Sequence, residues 1–191
     1  MNFAGKWPRH DYSELFKKHA GIDLGKIKGV KELRAAVKKQ GIKIKIEPSA
    51  GLGRVIDQVY KKTVRPNLIQ PSFLINHPVV ISPLSKRHAD NLEFVERHQV
   101  LMMGAEVGNG WSELNDPIDQ RDRFDKQMKL REAGDKEAQM MDEDYVIALE
   151  HGLPPTGGFG VGIDRLFSIL ADQDSVRDVV FFPTMKPKHE D

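Results

Sequence analysis

Ala105-Glu106-Val107-Gly108-Asn109-Gly110-Trp111-Ser112-Glu113-Leu114 reads as an extended segment punctuated by glycine. It ends just before Asn115-Asp116-Pro117, a helix start with Asp116 as cap and Pro117 at the first helical position. From residue 109 onward, the period of two puts Asn109, Trp111 and Glu113 on one face. That face offers an amide, an aromatic wall and a carboxylate, a set that can cage a small cationic ligand. Glu106 is out of phase and joins them only through a bulge, for which Gly108 is the natural place. The same pattern also fits an edge strand whose polar residues simply face water.

Upstream, Glu93–Met103 reads as the strand before it, and Phe73–Asn76 and Val79–Ser82 as two short strands parted by a His77-Pro78 turn. Residues to about 66 read as helical. Tyr12, Leu15 and Phe16 follow Asp11 and stop at Gly21, Val30, Leu33, Ala36 and Val37 stop at Gly41, and Val55, Ile56, Val59 and Tyr60 precede Pro66. Ile42, Ile44 and Ile46 alternate with lysines as a strand or an extended connector. Downstream, a helix runs from Pro117 to about Glu132, and a second covers roughly Asp142 to Glu150. Strands separated by long helical excursions, without regular βα alternation, predict an α+β fold with a mainly antiparallel sheet.

A second glycine-rich segment, Gly157-Gly158-Phe159-Gly160-Val161-Gly162-Ile163-Asp164-Arg165, runs from strand into helix. Glycines 158, 160 and 162 share one strand face, a bare backbone against which a flat purine can lie. Arg165 stands at the helix start, where a guanidinium and backbone amides suit phosphate. Close packing of strand on helix would use the same glycines. The segment lacks the Gly-Lys-Ser/Thr ending of a P-loop and the usual setting of a dinucleotide fingerprint.

The 191 residues carry a formal net charge of +1, which argues against coating nucleic acid by charge alone. The charges are unevenly spread, with Lys38, Lys39, Lys43 and Lys45 in one cluster and Asp142, Glu143 and Asp144 in another, both readable as solvated faces. With no cysteine there is no disulfide, thiolate metal site or cysteine nucleophile, and the composition suits a reducing cytoplasm. No run is long enough to span a bilayer, so no membrane partner is expected. His77, His88, His98 and His151 lack metal-ligand spacing and read as surface or capping residues, while Met140 and Met141 read as core filler. Ser49 and Ser85 sit in no nucleophile elbow.

Taken together, Glu106–Pro117 resembles the lysine-pocket strand of class II lysyl-tRNA synthetases. Asp142–Tyr145, Ala148–Thr156 and Gly157–Leu166 resemble that family's third class-defining motif with its approach helix. Gly51–Arg54, Leu68–Pro71, Ser82–Leu84 and the ending Phe182-Pro-Thr-Met-Lys-Pro187 fit the family in order. The resemblance covers nearly the whole chain. It implies part of a class II catalytic domain, with 1–66 a helical insertion-like region and 67–191 the sheet bearing the pocket strand and third motif.

The resemblance also implies roles. Glu113 would hold the lysine ammonium, Asn109 the amino-acid end, and Trp111 would wall the pocket, where the family more often has phenylalanine or tyrosine. Glu106 would serve lysine, ATP and magnesium (Mg2+). Val107, Gly160, Gly162, Ile163, Asp164 and Arg165 would form the nucleotide floor, with Arg165 as the catalytic contact to adenine and γ-phosphate. The implied reaction makes lysyl-adenylate from L-lysine and ATP, then transfers lysine to tRNA(Lys). Two departures stand out. Gln99 replaces a usual glutamate that shares the divalent ion with Glu106, so magnesium is expected to bind more weakly, and His98 replaces a usual phenylalanine. The first and second class motifs and the anticodon-binding domain are not seen, and a homodimer or a missing N-terminal half is an expected partner. Without the second motif's arginine, the chain alone is expected to be a poor enzyme. The alternatives are a paralogue that lysylates a protein, and a non-catalytic lysine- or nucleotide-binding or interaction module. An aspartyl or asparaginyl enzyme fits less well, because Glu113 would repel an acidic substrate.

Overall fold

The computed structural model describes residues 1–184. Met185–Pro187 of the matching ending lies outside the described residues. Five strands form one sheet in the order β1-β2-β3-β4-β5, which is also chain order. Strand β1 (Arg9–Asp11) pairs parallel with β2 (Ser72–Pro78), and β3 (Phe94–Met102), β4 (Ala105–Ser112) and β5 (Gly157–Val161) follow antiparallel. The expected α+β class with a mainly antiparallel sheet is what the chain adopts.

Helix α1 (Tyr12–Ala20) begins where Asp11 accepts from the Glu14 amide and ends at Gly21, whose φ of 68° suits a residue without a Cβ. Its face of Tyr12, Leu15 and Phe16 packs with α2 (Val30–Lys39) and α3 (Leu52–Thr63) into the main core, which Leu74 and Leu101 complete from the sheet. The isoleucines at 42, 44 and 46 lie against this core on an extended connector without a strand partner. On the opposite sheet face, Val100, Met102 and Val107 meet Trp7, Phe73, and Leu166 and Ile169 of α6 (Ile163–Leu170). Helices α4 (Pro117–Glu132) and α5 (Glu143–Glu150) follow the pocket strand, and α4 is capped by Asp116 with Pro117 in its first turn.

Five readings change. The first 66 residues are not wholly helical, because Arg9–Asp11 adds the parallel edge strand β1. His77-Pro78 is no turn but the end of β2, whose register shifts between Ile75 and His77. Asn76 absorbs the extra residue at φ 56°, so the strand bends and continues, and Val79–Ile81 is a 3-10 turn rather than a strand. His77 is consequently buried, at 1% exposure, instead of facing solvent. Met140 is 62% exposed and fills no core.

Candidate active site

Val100 of β3 faces Gly108 of β4, yet the next residue, Leu101, faces Glu106, so Val107 is an extra residue in β4. This is the bulge the sequence required, one residue before Gly108. Val107 joins the α6-side core, and Gly108 lies against the Phe159 ring, where an added Cβ would come within 2.6 Å of Cζ. Two consecutive residues thus face α6, which returns Glu106 to the face of Asn109 and Trp111. Across the ladder, Asn109 pairs with Gly160 and Trp111 with Gly158, so the bare backbone of β5 adjoins the polar row.

Glu106, Asn109, Trp111, Gly160, Gly162 and Arg165 line one cleft of about 460 Å³, within the range of small-ligand sites. Val107 and Asp164 also border it, whereas Ile163 is exposed on α6 outside its lining. Glu113 lies outside the lining too but is tied to it. The indole N–H of Trp111 donates to the Glu113 carboxylate at 2.9 Å, and a Cβ on Gly158 would sit 3.4 Å from Glu113 Oε1. Arg165 donates to the Glu106 carbonyl, while the Gly162 amide donates to the Val107 carbonyl at 2.8 Å. These bonds anchor the start of α6 to the bulge.

Two residues that the sequence reading did not place at the site support this row. Arg97, opposite Trp111, donates through Nε to Asn109 Oδ1 at 3.1 Å and through Nη1 to the Ile81 carbonyl and Ser82 Oγ, both at 3.0 Å. Arg97 fixes the Oδ1 end of Asn109, and Nδ2, which has no partner among the described residues, can donate to an acceptor on a ligand. Arg97 shares the period-two phase of Gln99, a signal present in the sequence. His77 had none, since only the irregular Asn76 brings it inward. Its Nδ1 lies 3.3 Å from the Arg97 carbonyl and its Nε2 lies 3.2 Å from Gln99 Oε1. Burial, then the nearby Arg97 guanidinium, lowers the His77 pKa to about 3, so the ring is neutral and donates only one of these bonds at a time.

Gln99 turns its other end, Nε2, to donate to the Glu106 carboxylate. The amide therefore occupies one side of the Glu106 carboxylate. Among the described residues no group of three or more His, Cys, Asp or Glu converges as a metal site. Glu106 can offer one carboxylate to a magnesium ion carried by nucleotide phosphates, while Gln99 in this hydrogen-bonding arrangement supplies no oxygen to it.

The family model described as tRNA synthetases class II (D, K and N) matches residues 1–186. The chain belongs to this class II synthetase family. It is 48% identical over 188 residues to a lysine–tRNA ligase of Pelotomaculum thermopropionicum, and 50% identical over 190 residues to that of Moorella thermoacetica. A lysine–tRNA ligase of Chloroflexus aurantiacus is 40% identical over 191 residues. These alignments take in 98–100% of the chain but only 37–38% of each relative, so this class II synthetase chain spans less than two-fifths of their length. Among its described residues no helix is long and apolar enough to cross a membrane.

Proposed function

We propose that this chain carries the lysine- and ATP-binding faces of a lysine–tRNA ligase. The observation that carries the proposal is the single cleft in which a bulge unites Glu106 with Asn109 and Trp111, beside the glycine backbone of β5 and Arg165. Glu113 would balance the lysine ammonium, since a buried cation needs a nearby anion, and Trp111 both walls the site and steadies that carboxylate. Asn109, held by Arg97, would donate to the lysine carboxylate. The purine would lie along Gly158 and Gly160, with Arg165 on the nucleotide.

In the reaction, a lysine carboxylate oxygen attacks the α-phosphorus of ATP and pyrophosphate leaves; a ribose hydroxyl of tRNA(Lys) then attacks the lysyl carbonyl, the ester forms and AMP leaves. This chain's residues align the two reactants and stabilise charge, which is most of what such a displacement requires. Magnesium, held at Glu106 with the nucleotide's phosphates, would neutralise phosphate charge. The same reading takes residues 1–66 as an insertion-like region of the catalytic domain and places the protein in the cytoplasm.

Lysine-dependent ATP–pyrophosphate exchange on the purified chain tests the proposal, with Glu113→Ala and Arg165→Ala as controls. Exchange that needs lysine and disappears in both controls is the expected result if these residues suffice. A folded chain that neither exchanges nor binds lysine or ATP would overturn it.

A further inference from the structure

Residues 17–45 hold ten lysines and arginines against two acidic residues, a surplus of eight in a chain whose net charge is +1. The fold gathers much of this surplus at one corner. Gln40, at the end of α2, donates through Nε2 to the Gly21 carbonyl at 3.0 Å, so the C-terminal ends of α1 and α2 meet. Lys17 and Lys18 lie in the last turn of α1, and Lys38 and Lys39 in the last turn of α2. The connector then leaves that corner with Ile42, Ile44 and Ile46 packed on the core, which turns Lys43 and Lys45 outward.

A favourable helix dipole accounts for cations in a last turn, but not for those on the connector. Of the ten basic side chains, only Lys17 pairs with a carboxylate among the described residues, and Arg34 is spent on the Glu47, Pro48 and Ala50 carbonyls. The rest face solvent without neutralisation. The segment also exposes no large apolar side chain, so it has nothing to insert into a bilayer. It exposes no aromatic ring on which unpaired bases could stack.

We infer that the corner formed by the ends of α1 and α2 and the Lys43–Lys45 connector docks the phosphate backbone of double-helical RNA. The contact is electrostatic and independent of base sequence, as expected of lysines without aromatic or amide readers. The choice of RNA rests on the proposed function; the surface itself lies outside the cleft and plays no part in activating lysine.

The test is fluorescence anisotropy of a labelled RNA hairpin with the full chain, titrated from low to physiological salt. The variant carries Lys38→Gln, Lys39→Gln, Lys43→Gln and Lys45→Gln, all exposed, and its circular dichroism is compared with the parent's. A charge-matched control carries Lys62→Gln, Lys126→Gln, Lys129→Gln and Lys136→Gln, also exposed. The expected result is at least a tenfold loss of RNA affinity in the first variant, and a salt slope lower by about two to four, against a less than threefold loss in the control. Equal losses in both variants would overturn the inference, as would no RNA binding at low salt. Preferential binding to phosphatidylserine vesicles, lost in the same variant, would reassign the surface to membranes and overturn it too. Loss of RNA binding with lysine and ATP binding intact is the expected separation; a folded parent chain that binds RNA but neither exchanges nor binds lysine or ATP would count against the proposed function and leave this surface standing.

Discussion

Trp111 and Glu113 are joined by an indole-to-carboxylate hydrogen bond of 2.9 Å, so the residue that walls the cleft also orients its anion. Phenylalanine would keep the wall and remove the donor. Trp111→Phe is therefore expected to weaken lysine binding by roughly threefold to tenfold, as loss of one hydrogen bond to a charged group implies. Isothermal titration with lysine measures it; undiminished affinity would mean that Glu113 needs no such support.

Arg97 fixes Asn109 and also satisfies the Ile81 carbonyl and Ser82. Lysine at this position cannot span all three acceptors. Arg97→Lys is expected to cost about 1–3 kcal/mol in urea unfolding, because a partly buried carbonyl loses its donor. It should also weaken the response to lysine, since the Asn109 amide is freed to turn. Unchanged stability and unchanged lysine affinity together would remove Arg97 from the support of the site.

Gln99 donates to Glu106, a bond that a second carboxylate cannot make. Gln99→Glu should lower stability in chelator by about 1–3 kcal/mol through like-charge repulsion and the lost hydrogen bond. Added Mg2+ should restore it. Manganese titration followed by electron paramagnetic resonance is expected to show at least tenfold tighter binding in the variant. Equal manganese affinity in parent and variant would mean that the Gln99 position does not face a cation.

Asp119 lies between Arg123 and Arg87, with Arg123 Nη2 at 2.6 Å and Arg87 Nε at 3.2 Å. The Arg123 hydrogen bond, opposed by burial and aided by the Arg87 hydrogen bond, lowers its pKa to about 2. The folded value is below the unfolded one, so its stabilising contribution is fully present above about pH 4 and is lost as pH falls toward 2. Asp119→Asn should cost roughly 1–2 kcal/mol at pH 7 and less near pH 2. A variant whose deficit in thermal unfolding is the same at both pH values would contradict this linkage.

Much of the architecture was legible locally. The helix starts at Asp11 and Asp116 and the stop at Gly21 follow from capping chemistry within three or four residues, and the structure places them there. The row Asn109, Trp111 and Glu113 followed from the period of a strand, and even the need for a bulge was evident from Glu106 being out of phase. The family resemblance, resting on contiguous motifs, was equally a property of the chain's order.

What only the tertiary structure decided depends on contacts between segments distant in sequence. Arg97 meets Asn109 because two strands pair in one register, and the fate of the Gln99 amide depends on both His77 and Glu106. His77 turned inward only because Asn76 took a left-handed backbone and β2 ran on through Pro78. Local propensity favoured a turn there; pairing with β3 and burial of the ring favoured a strand, and the cooperative ladder prevailed. The lysines show the same division: their surplus is visible in the sequence, but their meeting at one corner depends on Gln40 reaching Gly21. Sequence supplies periodicity and chemical type, while register and long-range packing decide which groups touch.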